Sequence, residues 1–170
     1  MSFDLTKVAK RLKVDNSKFM TFDELDAVPS GTVFVFDVEC YRNFFFVAFK
    51  CLHNGKFITF EQSPDSILNV DQMLSLMWRF CVVGFNSKNY DLPMIMLAAK
   101  GASCSELKDA SDFIIQGQSS VYVFCKKFKV QIPDINHIDL IEVAPLQGSL
   151  KLYAGRMHCK TMQDLPLPPD

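Results

Sequence analysis

The sequence lacks long apolar runs and lacks an excess of either charge. No stretch reaches the roughly eighteen consecutive apolar residues of a membrane helix, and the first twenty residues contain no apolar segment typical of a secretory signal. The 18 lysines and arginines balance 19 aspartates and glutamates, so no overall positive field attracts nucleic acid. We therefore expect a cytoplasmic protein with no membrane partner.

Paired metal-binding cysteines are also missing. The six cysteines are scattered with no C-x-x-C pair, and several lie in apolar runs, where a free thiol behaves as a small hydrophobic side chain. His158 and Cys159 come closest to half of a zinc site, and no second pair stands at a suitable spacing. This usage predicts reduced cysteines, as in the cytosol, and argues against structural zinc.

The length and composition fit a single domain with a helical extension. A chain of 170 residues with 49% hydrophobic residues is long enough to bury a sizeable core. Leu5, Val8 and Leu12 recur at helical spacing among lysines, and Thr21 opens a Thr-x-x-Glu capping box. We predict an N-terminal helical appendage over residues 1–30 and one main domain over residues 31–170.

The main domain begins with strands and continues with alternating helices and strands. From Thr32 three β-rich segments predict an antiparallel meander, with a turn at His53, Asn54 and Gly55. The later segments predict an amphipathic helix with Ile67, Val70, Leu74, Met77 and Trp78 on its apolar face, a buried strand in CVVGFN, helices in YDLPMIMLAAKG and CSELKDASDFIIQG, a strand in DINHIDLIEVAP and a helix in GSLKLYAGRM. Residues 116–129 fit either a strand or a helix. This order is typical of an α/β fold with helices on a mixed sheet.

Two acidic residues stand inside the most apolar segment, VFVFDVECYRNFFFVAF (33–49). Alternate residues of a strand share a face, so Asp37 and Glu39 project to one side and Val38 to the other. At a strand end such a pair simply meets solvent, but the β-forming residues before it indicate a central strand. Buried neighbouring carboxylates raise each other's pKa unless cations neutralise them, and all-oxygen ligands suit Mg²⁺ or Mn²⁺. The segment therefore predicts part of a metal site.

A further acid follows the next buried strand. In VGFNSKNYDLPMI (83–95) a strand runs into a polar loop, and Asp91 stands near the start of a helix, where an acid also serves as an ordinary N-cap. Together the two stretches resemble the Exo I motif, Asp-x-Glu, and the Exo II motif, Asn-x4-Asp-x-Pro, of the proofreading domains of family B DNA polymerases, particularly in phage-like proteins. The matching residues are Asp37 and Glu39 in the first motif, and Asn86 and Asp91 in the second, with Tyr90 in the aromatic place before the acid.

The resemblance covers about residues 32 to 170 and carries expectations about fold and activity. It implies the RNase H-like fold of the DEDD exonuclease superfamily, with an antiparallel three-stranded meander plus parallel strands, flanked by helices. It also implies a 3′→5′ exonuclease that removes terminal nucleotides from single-stranded DNA during replication. Asp37, Glu39 and Asp91 would hold two Mg²⁺ or Mn²⁺ ions, while Asn86 and Tyr90 would position the terminal nucleotide.

The family's third motif is missing. It is Tyr-x3-Asp or His-x4-Asp on a C-terminal helix, and neither spacing occurs after Asp91. We expect that helix to be absent and its acid to come from the remainder of a longer or split protein, or from a DNA polymerase module. Asp139, Asp164 or Asp170 could otherwise substitute. The alternative function is a non-catalytic RNase H-like module that docks a polymerase or nucleic acid, and an uncovered apolar sheet invites self-association.

Three other features allow a structural or a functional interpretation. Residues 44–46, all phenylalanine, fit core packing better than stacking on unpaired bases. His137 precedes Asp139 by two positions, which suggests a metal pair or simply a strand end near the site. A basic cluster of Lys126, Lys127 and Lys129 fits a solvated face or contacts with phosphates.

Overall fold

A computed structural model describes residues 15–117, 119–145 and 148–159. Its strands are β1 (Val33–Tyr41), β2 (Phe44–Cys51), β3 (Phe57–Gln62), β4 (Cys81–Gly84) and β5 (His137–Asp139). They form one sheet in the order β3-β2-β1-β4-β5. The meander β1-β2-β3 is antiparallel, whereas β4 pairs in parallel with both β1 and β5. The predicted α/β class, with a meander plus parallel strands flanked by helices, is confirmed and is consistent with an RNase H-like fold.

The helices largely follow the predicted segments. They are α1 (Phe22–Asp26), α2 (Val70–Arg79), α3 (Asp91–Ala99), α4 (Cys104–Ile115), α5 (Val121–Phe128), α6 (Leu140–Val143) and α7 (Leu150–Arg156). The capping box of α1 is present: the Thr21 hydroxyl accepts from the Glu24 N–H, and the Glu24 carboxylate accepts from the Thr21 N–H. None of these helices is long and apolar enough to span a membrane.

One face of the sheet forms the core. Phe34, Phe36 and Val38 alternate along β1 with side chains on the opposite face, and each is at most 6% exposed. Phe49 of β2 lies opposite Phe36 in the register, and their rings stack at 5.7 Å. Helices α2 to α5 supply the rest of this core through residues such as Met73. The other face of β1 therefore carries the polar residues.

Two predicted elements are wrong in detail. The apolar face of α2 is formed by Met73, Leu76 and Met77, whereas Trp78 is 59% exposed and Ile67, which precedes the helix, is 94% exposed. The strand predicted over 134–145 shrinks to β5, because the Asp139 side chain accepts from the Ile141 N–H and caps α6 instead. The ambiguous segment 116–129 contains helix α5.

The described N-terminal residues pack on the main domain. The Met20 N–H donates to the Phe57 carbonyl of β3 at 2.8 Å, and Met20, Leu25 and Val28 belong to the core cluster. The helix predicted around Leu5 to Leu12 lies outside the described residues. The division into an appendage and a main domain stays a prediction.

Candidate functional site

The central strand β1 carries two of the predicted site residues on the face opposite the core. Asp37 is exposed and Glu39 is half-buried, while Val38 between them is buried. The shared face of the two acids is thus confirmed. The apolar segment had suggested that both were buried, and this is wrong for Asp37, because the helices that build the core cover only the other face of β1.

Asp91 meets this pair from a different part of the chain. Its carboxylate accepts a hydrogen bond from the backbone N–H of Val38 at 3.0 Å, across 53 positions of sequence. Asp91 is the first residue of α3 and is 5% exposed. The strand β4 that leads to it pairs in parallel with β1, so the carboxyl ends of both strands meet at one edge of the sheet. The structure therefore brings Asp91 to the backbone of Val38, the residue that separates the other two acids.

The charge of Asp37 acts on the other two carboxylates. Burial, followed by the charge of Asp37, raises the pKa of Asp91 to about 7, against the lowering effect of backbone N–H groups. Burial and then the charge of Asp37 raise the pKa of Glu39. Burial also raises the pKa of Asp37, whose contact with solvent moderates the effect. Among the described residues, no lysine, arginine or histidine forms a salt bridge with any of the three.

An open cleft of about 560 Å³ lies over this meeting point. Its polar lining includes Asp37, Asn86, Tyr90 and Asp91, so four of the five predicted site residues share one cavity. Its apolar lining includes Val35, Phe36, Phe85, Leu140 and Leu150. Glu39 does not line the cleft, and its connection to the site is its position two residues from Asp37. The cleft thus combines acidic groups with apolar walls wide enough for a small organic group.

Asn86 shapes the loop between β4 and α3. Its backbone has a φ of 58°, in the left-handed region that asparagine tolerates better than most residues. Its side-chain oxygen accepts a hydrogen bond from the Asn89 amide at 2.8 Å. This contact gives the Asn86 side chain a structural role within the loop. Its contact with a nucleotide stays a prediction.

Tyr90 lies directly before α3 and is held by its hydroxyl. The Tyr90 oxygen lies 2.8 Å from the Ser111 Oγ of α4. Burial raises the pKa of Tyr90 well above its ordinary value, so the phenol is neutral in the physiological range. Because Ser111 is 2% exposed, this bond fixes the tyrosine ring against α4 at the wall of the cleft. Its predicted role in positioning a nucleotide is untested.

Asp139 is the residue whose role the sequence did not reveal. It is 2% exposed, and its carboxylate accepts from three backbone N–H groups: Asn86 at 2.7 Å, Lys88 at 2.8 Å and Ile141 at 3.2 Å. These bonds tie the loop before Asp91 to the end of β5. The carboxylate is thus a structural acceptor, which weakens its case as the substitute fourth acid. The other two substitutes, Asp164 and Asp170, lie outside the described residues.

His137 also has a structural partner. Its Nε2 lies 2.9 Å from the Oγ of Ser87, a residue with no exposed surface, and its ring meets Phe36 edge-on at 5.9 Å. Burial lowers the pKa of His137, so the neutral imidazole dominates near neutral pH. The interpretation of His137 as a strand-end residue near the site fits these contacts better than a metal ligand.

Gly84 is required by this arrangement, and Gly84→Ala is expected to destabilise the protein. An added Cβ would lie 2.4 Å from the Ser87 Oγ and 2.5 Å from the Ser87 Cβ, closer than atoms approach without displacement. We expect a loss of about 1 to 3 kcal/mol in the free energy of unfolding, measured by urea denaturation. Adding Ser87→Gly should restore part of the loss. An unchanged stability of Gly84→Ala would contradict this packing.

The donor chemistry of the site suits a hard divalent cation, although no ready ligand set is present. Within 15–117, 119–145 and 148–159, no three His, Cys, Asp or Glu side chains form a group that could hold a metal ion. Asp37 and Asp91 nevertheless offer only oxygen ligands to one cleft, and the charge of one raises the pKa of the other. A divalent cation would relieve this repulsion. These two acids therefore fit such an ion, with Glu39 beside them, and the ion itself stays a prediction.

The three consecutive phenylalanines divide between the two faces of the sheet. Phe45 has no exposed surface and lies in the core, as predicted. Phe44 and Phe46 are half-buried on the face that carries Glu39, which lies opposite Phe46 in the register. Their rings stack at 5.7 Å with an interplanar angle of 17°. Core packing is thus the correct interpretation for one of the three.

Comparison of the chain with protein-family models, with curated proteins and with solved structures finds no match. The resemblance to DEDD exonucleases therefore rests on the two sequence motifs.

Proposed function

We propose that this chain is a 3′→5′ exonuclease domain of the DEDD type, which hydrolyses terminal nucleotides from the 3′ end of single-stranded DNA as part of, or as partner to, a DNA polymerase in replication. One observation carries the proposal. The carboxylate of Asp91 is bound to the Val38 peptide, between Asp37 and Glu39, and the charge of Asp37 raises its pKa. Buried, coupled acids in a cleft are typical of sites that bind or catalyse.

In this proposal the chain's own residues hold and orient the reacting groups. Asp37 and Asp91, which both line the cleft, would hold two Mg²⁺ or Mn²⁺ ions together with Glu39. Bound there, the ions would supply a lowered pKa for the attacking water and stabilisation of the leaving 3′-oxygen. Tyr90 and Asn86 would contact the terminal nucleotide from the cleft wall, and the apolar wall at Leu140 would exclude water from the base.

A non-catalytic RNase H-like module is the second candidate. It is favoured by the missing third motif. Such a module would use the same cleft and sheet face to dock a polymerase or a nucleic acid without cleaving it. The next acidic residue after Asp139, Glu142, has its carboxylate paired with the Lys88 ammonium.

The decisive experiment compares the chain alone with the chain plus a segment that carries the third motif. The purified chain, incubated with a 5′-labelled single-stranded oligonucleotide and Mn²⁺, is expected to show little activity, because the fourth acid and the water-orienting residue are missing. Adding a polypeptide with the Tyr-x3-Asp helix, or extending the chain with one, is expected to raise the rate by about a hundredfold or more. Asp91→Ala should abolish the gain. Asp65→Ala, which changes an exposed acid that does not line the cleft, should not.

Three outcomes separate the candidates. Activity that survives Asp91→Ala would refute the proposal. Binding of the oligonucleotide without cleavage in every combination would favour the non-catalytic module. Strong metal-dependent cleavage by the chain alone that Asp91→Ala abolishes would support the nuclease but show that Asp164 or Asp170 completes the site.

A further inference from the structure

A cluster of lysines surrounds the C-terminal end of α5, on a part of the molecule that the nuclease proposal does not use. The lysine cluster consists of Lys100, at the end of α3, and Lys126, Lys127 and Lys129. All four are exposed. The chain contains no acidic residue between Asp112 and Asp134, so no carboxylate of this segment offsets their charge. The cluster is therefore a local positive surface on a protein whose net charge is only −1.

Helix capping explains only one member of the cluster. The Lys100 ammonium donates to the carbonyls of Phe128 and Lys129, at 3.1 and 3.2 Å, and so binds the free carbonyls at the end of α5. Lys126 and Lys129 have no salt-bridge partner among the described residues. The helix dipole attracts such cations only weakly. Their concentration at one place is therefore not accounted for by folding.

The lysines stand beside exposed apolar side chains of the same helix. Tyr122 is 72% exposed and Val123 is 46% exposed. Tyr122 and Lys126 are four residues apart and so share one face of α5, as do Val123 and Lys127. The Lys127 ammonium lies 3.7 Å from the centroid of the Phe113 ring, which holds it near the surface. An aromatic ring with neighbouring cations suits a base and its adjoining phosphates.

We propose that the lysine cluster and Tyr122 form a binding surface for the backbone of single-stranded nucleic acid, separate from the acidic cleft. The separation follows from α3, which runs from Asp91 to Ala99 and so places Lys100 about 13 Å from the start of the helix. The lysines contact consecutive phosphates, and the Tyr122 ring stacks on a base. The surface requires a polyanion and no metal, so it does not depend on the nuclease assignment.

Fluorescence anisotropy tests this surface by measuring the binding of a labelled thymidine oligonucleotide. EDTA is present so that neither metal binding nor cleavage contributes. The triple variant Lys126→Gln, Lys127→Gln, Lys129→Gln is expected to bind the oligonucleotide at least about tenfold more weakly than the wild type at about 50 mM salt. The slope of the logarithm of the association constant against the logarithm of the salt concentration should shrink by about 2. Tyr122→Ala is expected to weaken binding by about fivefold or more through lost stacking. The charge-matched control Lys18→Gln, Lys50→Gln, Lys56→Gln, at the β3 edge of the sheet, should change binding by less than about threefold.

The outcomes that would overturn the proposal are distinct from failure of the nuclease. Equal weakening by the control variant would show only a general charge effect. Binding of polyglutamate or of anionic vesicles, lost equally in the triple variant, would assign the surface to an acidic protein or a membrane. The single variants Lys126→Gln and Lys129→Gln serve if the triple variant fails to fold.

Discussion

Asp91→Asn is expected to make the metal-free protein more stable than the wild type by about 2 to 4 kcal/mol above about pH 7. The pKa of Asp91 is raised to about 7 from the ordinary 3.8, so the wild type takes up a proton on folding between these values. Its stability must therefore fall as the pH rises through that window. Asparagine does not titrate and still offers an oxygen to the Val38 N–H, so the variant avoids this loss.

The measurement is urea denaturation of both proteins at several pH values in EDTA. The difference between them should nearly vanish below about pH 4 and reach its full size near pH 8. Asp37→Asn should also raise the free energy of unfolding, but by less, because Asp37 is exposed. Asp65→Asn, at another exposed acid, should leave it unchanged. Mg²⁺ or Mn²⁺ should then raise the melting temperature of the wild type and not of Asp91→Asn. A wild type more stable than Asp91→Asn at every pH would show that the carboxylate is a structural acceptor.

Asp139→Ala is expected to be the most destabilising single substitution near the cleft, with a loss of about 3 kcal/mol or more. It leaves three backbone N–H groups, those of Asn86, Lys88 and Ile141, without their acceptor. Because Asp139 is 2% exposed, water does not readily replace the carboxylate. The loop that leads to Asp91 should loosen as a result.

Asp139→Asn is the matched control for this effect. The amide oxygen can keep the bonds to Asn86 and Ile141, which share one carboxylate oxygen, while the amide nitrogen opposes the Lys88 N–H. We therefore expect a smaller loss than for Asp139→Ala, measured by the same denaturation, together with faster hydrogen exchange at Lys88. If Asp139→Ala left the free energy of unfolding unchanged, Asp139 would have no structural role. It would then again be a candidate for the fourth metal ligand.

The sequence predicted those features that depend on neighbouring residues. The alternation of β1 is a two-residue period, so the shared face of Asp37 and Glu39 could be derived without knowing what packs on the strand. The capping box of α1 joins residues three apart, and the β2–β3 turn is equally local. The meeting of Asp91 with that pair came from the motif resemblance and was not deducible from local pattern.

Burial was the property that local pattern described badly. The segment around Asp37 appeared wholly buried and Trp78 appeared to face the core, yet both side chains are exposed. In a similar way, three identical phenylalanines received one interpretation, although Phe45 lies in the core and its two neighbours do not. Which face is covered depends on helices that come from distant parts of the chain.

The sequence by itself determined the order of elements, the α/β class, the common face of the two β1 acids and the positions of the helix caps, because these follow from side-chain period and from hydrogen bonds between near neighbours. Only the tertiary structure decided that Asp91 binds the Val38 peptide, that Asp139 holds the loop before it, and that Lys100 joins the lysines at the end of α5. The physical reason is distance along the chain: the first two contacts join residues more than fifty positions apart, and their geometry exists only once β1, β4 and β5 lie side by side.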